Sequence, residues 1–201
     1  KTDKELYDYQ LGAISQIFEK FDTAPDDYHL LYQLPTGGGK TVIFSEIVRQ
    51  YLKNHNKKVL IMTHRVELCK QTSDMLTSFG VVNKVVNSTA NLDDQAKYSC
   101  FVAMVETLNN RLNDNKLDIS DVGLVIIDEA HYNSFTKLFK YFEKSFFLGV
   151  TATPLSSNKE TPMKDNYDEL IVGETIEDLI ENEFLARAEM IQYNMGLTTL
   201  E

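Results

Sequence analysis

Tryptophan is absent from this chain, and 201 residues include only two cysteines, four prolines and nine glycines. So little Gly and Pro excludes collagen-like, linker-rich and low-complexity classes. Cys69 and Cys100 sit among apolar neighbours and read as reduced thiols of a cytoplasmic protein rather than as a disulfide. The four histidines show no ligand spacing with either cysteine, which argues against a zinc site. No apolar run approaches the roughly 18 residues that a membrane helix requires. The opening stretch, KTDKELYDYQ, has neither signal- nor transit-peptide character. Positive charge is scarce as well: 20 Lys and Arg face 30 Asp and Glu, a net charge of −10. A phosphate clamp spread over the whole surface needs clustered cations and is thereby disfavoured. A local basic or backbone-lined groove is still open.

What is present is an ordinary globular mixture, 43% hydrophobic and 25% charged. At this length a chain buries about 70% of its unfolded surface without metals or disulfides. Short apolar runs alternate with helix-period segments, the pattern of a mostly parallel α/β sheet with helices on both faces. The runs predict strands at His29–Leu34, Val59–Thr63, Lys84–Asn87, Cys100–Met104, Leu124–Asp128 and Phe146–Val150. VLIMT and LVIID are apolar at nearly every position, as central strands covered on both faces must be. Helices are predicted at Leu11–Phe21, Thr41–Lys53, Glu67–Phe79, Val105–Arg111 and Thr136–Phe142. Asn109–Asp121 and Ser156–Asp168 are polar and read as surface excursions, the second as mobile. Beyond them come a short strand at Glu169–Val172, an acidic helix at Thr175–Asn182 and a last strand at Ala188–Tyr193. There is no internal repeat.

Two motifs carry chemistry. LPTGGGKT, Leu34 to Thr41, follows a predicted strand and opens a helix. Gly37, Gly38 and Gly39 allow backbone N–H groups to close around an anion, and the helix dipole favours the same charge. Lys40 supplies a cation for β and γ phosphates, and Thr41 a hydroxyl for Mg²⁺. The strict pattern asks for Gly where this chain has Leu34, so a Gly-rich turn that merely caps a helix is the competing reading. LVIIDEAH, Leu124 to His131, ends a buried strand in two adjacent carboxylates, 88 residues beyond Lys40. Asp128 suits Mg²⁺, and Glu129 suits orienting or deprotonating an attacking water. A solvated acidic turn is the plainer alternative.

With TATP, Thr151 to Pro154, these segments resemble motifs I, II and III of superfamily 2 DEAD/DEAH-box helicases. The resemblance runs from Tyr7 to about Tyr193 and is strongest to the group of type III restriction enzyme motors and UvrB-like repair proteins. That family tolerates a residue other than Gly at the place of Leu34. The resemblance implies a RecA-like P-loop domain over residues 1–193, with 194–201 starting a linker to a second RecA-like domain. It implies an ATP-hydrolysing motor that uses ATP and Mg²⁺. Thr36 and the three glycines would line the phosphates, and Gln10 in LYDYQ would pair with the adenine edge, with Tyr7 or Tyr9 stacked nearby. Gln10 could otherwise be an exposed helix-start residue. His131 would sense the γ-phosphate and link it to Thr151 and Thr153.

MTHRVELCKQT, Met62 to Thr72, resembles a strand-binding segment in which Thr63 and Arg65 hold nucleic-acid phosphates. Thr107 is the matching contact in VAMVETL. Such contacts position a strand without reading it. Arg65 could equally be a helix-end surface charge. Leu138, Phe139 and Phe142 read as core packing and the acids from Glu177 to Glu183 as a solvated face. The expected partner is nucleic acid, with DNA favoured over RNA, and no membrane. A nucleic-acid sensor that closes on ATP without unwinding, and the motor part of a restriction or repair nuclease, are the rival readings. A small-molecule kinase would leave TATP and Met62–Thr72 unexplained.

Overall fold

The computed structural model describes residues 6–34, 39–87, 96–114, 121–129, 133–152 and 167–173, the side chains of 133–136 excepted. In chain order come α1 (Asp8–Thr23), β1 (His29–Gln33), α2 (Lys40–Asn54), β2 (Lys58–Thr63), α3 (Val66–Ser78) and β3 (Lys84–Val86). They are followed by β4 (Cys100–Met104), α4 (Val105–Asn113), β5 (Val122–Asp128), a 3₁₀ helix (Asn133–Tyr141), β6 (Phe146–Thr151) and β7 (Glu169–Val172). The seven strands form one sheet in the order β3-β4-β2-β5-β6-β1-β7. Every pairing among them is parallel.

Strand alternation divides the apolar residues between two cores. Leu124 and Ile126 of β5 enter the one that also receives Ile14 and Ile17 of α1, Ile43, Phe44 and Ile47 of α2, and Leu76 of α3. Val125 and Ile127 enter the opposite one, with Leu108 and Leu112 of α4 and Leu138 and Phe142. Both faces of β5 are therefore dry, and a strand covered on both sides needs apolar residues throughout. All seven residues of β5 are buried.

The elements expected within the described residues are present, with boundaries moved for identifiable reasons. Helix α1 starts three residues early because the Gln10 Oε1 accepts the Tyr7 N–H at 2.9 Å, satisfying an amide that the first turn leaves open. Helix α4 runs two residues further than expected, to Asn113, because Leu112 continues the buried stripe of Val105 and Leu108. The first five residues of the excursion foreseen from Asn109 are thus helical, and residues 115–120 lie outside the described residues. The helix expected at Thr136–Phe142 is a 3₁₀ helix beginning at Asn133. Leu138 and Phe142 are buried in the core, as the apolar stripe predicts, although the backbone takes the tighter 3₁₀ form. Phe139 there meets Phe147 edge-on at 4.9 Å. Asp168, the last residue of the second polar stretch, is tied to β1: its N–H donates to the His29 carbonyl at 2.7 Å, and its Oδ2 accepts the His29 N–H at 2.8 Å; residues 153–166 lie outside the described residues. The helix at Thr175–Asn182, the strand at Ala188–Tyr193 and the linker lie outside the described residues.

Gly123, in β5, marks the tightest approach of a helix end to the sheet. A Cβ there would stand 2.3 Å from Tyr51 Oη and 2.8 Å from Lys57 Cβ. Gly123→Ala is expected to cost about 1–3 kcal/mol by overpacking. At roughly 2–4 °C per kcal/mol for a domain of this size, a thermal melt reads it directly. An unchanged midpoint would mean that Tyr51 and Lys57 yield freely.

Candidate active site and adjoining ledge

Parallel strands share one carboxyl edge, and open α/β sheets bind ligands there. Here β5, β6 and β1 are adjacent, so the segments that follow them converge. Asp128 pairs in register with Val150, and Gln33 with Thr151. Leu34 donates its N–H to the Thr151 carbonyl at 2.9 Å. The departure from glycine at position 34 has a packing reason: Leu34 is 1% exposed and part of the core.

Gly39 caps α2 with φ 74° and ψ 40°, a left-handed conformation that glycine adopts without penalty. A Cβ on it would lie 2.3 Å from the Gln10 Nε2. Gln10 is thus 4% exposed and packed on the end of the Gly-rich turn, not the exposed helix-start residue of the simpler reading. Tyr7 and Tyr9 stack beside it, ring centroids 5.9 Å apart.

Lys40, the first residue of α2, reaches across the edge to both carboxylates. Its Nζ lies 3.0 Å from Asp128 Oδ1 and also contacts Glu129 Oε1. The acidic-turn reading fails here, because Asp128 is 4% exposed and paired with a cation from another element. Glu129 has φ 56°, the only positive φ outside glycine among the described residues. Such a backbone costs about 1–3 kcal/mol and persists where surroundings over-determine it, most often at functional sites. The strain aims the carboxylate back at Lys40. Thr41, next on the helix, is half-buried.

The residues fit a magnesium ion. Asp128 Oδ1 is buried and faces the Lys40 ammonium at 3.0 Å, a cation that an arriving metal ion would replace. No cluster of three acidic, histidine or cysteine ligands exists among the described residues. One buried carboxylate, with a threonine beside Lys40 at the start of α2, is the sparse protein set that suits Mg²⁺ shared with phosphates. Thr36, Gly37, Gly38, His131 and Thr153 lie outside the described residues; Thr151 is fully buried at the end of β6.

A second ledge adjoins the first, because β2 and β4 continue the same edge on the far side of β5. Arg65, exposed, caps α3, and Thr107, half-buried, lies in the first turn of α4. Between α3 and α4 runs a groove of about 530 Å³ lined by Val66, Lys70, Met104 and Thr107 among others. Thr63 is not on that surface. It is fully buried, its hydroxyl 2.9 Å from Cys69 Sγ and donating to the Arg65 carbonyl at 3.3 Å. His64, which no motif singled out, joins the two ledges: its Nε2 stands 3.3 Å from the Glu129 carbonyl oxygen. Burial lowers its pKa, against the pull of Asp128, and so favours the neutral ring. Only the pairing of β2 with β5 reveals that contact, since the residues are 65 apart in sequence.

Residues 3–156 match the family model of the type III restriction enzyme res subunit. The chain belongs to this family. With the paired cation and carboxylates on a RecA-like sheet, membership makes it a domain of the superfamily 2 helicase type. The chain is also similar to proteins with other names. The protein named "Putative ATP-dependent helicase IRC3" of Saccharomyces cerevisiae is 31% identical over 92% of this chain and 28% of its own length. The type I restriction enzyme EcoAI endonuclease subunit of Escherichia coli is 24% identical over 94% of this chain and 24% of its own length. Among solved structures, the UvsW helicase of bacteriophage T4 shares the fold with a TM-score of 0.65 and 21% identity, over 86% of this chain and 62% of that one. The res-family domain described here spans under a third of these two curated relatives.

Gly39→Ala tests the turn. A left-handed non-glycine residue costs about 1–2 kcal/mol, and the Gln10 amide must also move. The expected result is a lower thermal midpoint and roughly tenfold weaker binding of a fluorescent ATP analogue. Gly12→Ala, whose added Cβ meets nothing within 4 Å, is the control that changes neither adversely.

Proposed function

We propose that the chain is the first RecA-like domain of an ATP-dependent DNA helicase or translocase, in which ATP hydrolysis moves the protein along a strand. The observation that carries the reading is the meeting of Lys40, Asp128 and Glu129 at one sheet edge, beside a ledge bearing Arg65 and Thr107.

The roles follow from position and charge. Gln10 presents its amide to the adenine edge. The amides of Thr36, Gly37, Gly38 and Gly39 cradle the phosphates at the positive end of α2. Incoming phosphate competes with the carboxylates for Lys40, whose ammonium turns to the β and γ oxygens. Thr41 and Asp128 would hold Mg²⁺, which neutralises phosphate charge when bound. Glu129, released from Lys40, orients the attacking water and takes its proton. His131, Thr151 and Thr153 report the state of the γ-phosphate to the rest of the motor. Arg65 and Thr107 hold strand phosphates without reading sequence, the role also expected of Thr63 passing to the backbone around its buried side chain. A second RecA-like domain, beyond a linker beginning at 194–201, closes the site with arginines; such a finger is worth about 10³–10⁵ in rate. The acidic net charge fits a domain that holds only half of a nucleic-acid groove. The reading places the protein in the cytoplasm, with DNA favoured over RNA.

A second reading, the motor part of a restriction enzyme, is favoured by the family's description and the EcoAI relative. It shares the same ATP chemistry.

In the full-length protein, Lys40→Ala is expected to lower ATP turnover by at least about a hundredfold, the scale of losing one transition-state donor. Undiminished turnover would sink the assignment. A strand-displacement assay separates a helicase from a sensor that binds and closes without unwinding.

A further inference from the structure

The contact between His64 and Glu129 joins the two ledges at the residue whose geometry matters most. Strands β2 and β5 pair through Met62 and Ile127, and two residues further on each stand His64 and Glu129. A carbonyl oxygen can only accept, so the Nε2 of His64 at 3.3 Å carries the proton and donates it. The acceptor belongs to the residue with the left-handed backbone, φ 56°. The bond therefore fixes the peptide that sets the direction of the Glu129 side chain, and leaves the carboxylate itself to Lys40.

On its other side, His64 is bonded in sequence to Arg65, the exposed cap of α3. The Arg65 carbonyl accepts the Cys69 N–H at 3.2 Å and the Thr63 hydroxyl at 3.3 Å. Both partners are buried, so the backbone about Arg65 moves as a unit with the turn. Any load on the Arg65 guanidinium is passed to His64 through one peptide.

We propose that His64 is the positioning residue through which an occupied strand-binding ledge aligns Glu129, so that stimulation of ATP hydrolysis by nucleic acid runs through the Nε2 of His64 and the carbonyl of Glu129. The proposal rests on the motor reading above. The contact is the candidate two-state element, made or broken, whose balance both sites would bias.

The test is steady-state ATPase of the full-length protein with and without oligothymidylate, comparing His64→Gln with His64→Met. These side chains are alike in length, and only glutamine donates. Methionine is expected to lower the stimulated kcat by about tenfold, with the KM for ATP held within about twofold and glutamine restoring most of the stimulation. Equal stimulation of the two variants, at the parent's level, overturns the proposal. So does an equal loss in both, since a donor would then not be what matters. If the parent protein itself gains nothing from either oligothymidylate or oligouridylate, the motor reading falls and takes this inference with it. A stimulated parent with a stimulated methionine variant sinks the inference alone.

Discussion

One ammonium group between two carboxylates organises this molecule's chemistry. Lys40 begins a helix that follows β1, while Asp128 and Glu129 end β5, and a whole strand, β6, separates the two. The three groups meet only because every described strand runs the same way and delivers its carboxyl end to the same edge. Two dry cores, one on each face, hold the register that makes this possible. A one-residue slip of β5 would turn Leu124 and Ile126 to the wrong face and carry Asp128 out of reach. Packing and function are specified by the same alternation.

The ion triad also describes a resting state. A half-buried lysine facing two carboxylates is electrostatically satisfied, and a partly buried pair of this kind gains little net stability once desolvation is counted. Its value lies in being exchangeable: a triphosphate brings more negative charge than the carboxylates it displaces, and the freed carboxylates have other work. Asp128 Oδ1, buried beside the Lys40 ammonium, already holds one positive charge and suits another in its place. Glu129 keeps a strained backbone that is supported from the neighbouring ledge by His64. The site is thus built as a balance between alternative partners for a few charges.

Much of this was legible from residue order alone. Parallel central strands announce themselves by continuous apolar runs such as LVIID, and a Gly-rich turn before a lysine announces the phosphate cradle. Leu34 looked like a defect in that cradle and is a core residue, because its side chain turns into the core while its N–H pairs with Thr151. Other features depend on the third dimension. Thr63 offered a hydroxyl in the right segment, but strand alternation buries it against Cys69. The 3₁₀ form of Asn133–Tyr141 has no signature in the residue order, since its apolar spacing is that of an α helix. Gln10 could be exposed or buried on a helix start; packing on Gly39 decides it. The link from His64 to Glu129 has no sequence signature at all, since it arises from which strand lies beside which.

The central claim is that these groups form the first half of a two-domain motor site. The direct measurement is ATP turnover of this 201-residue chain beside the full-length protein, each with and without single-stranded DNA and RNA. The account predicts strong stimulation of the full-length protein by one polymer, while the 201-residue chain stays near background because the arginines of the second domain are missing. Brisk turnover by the short chain, indifferent to both polymers, would show a site complete in one domain and contradict the account.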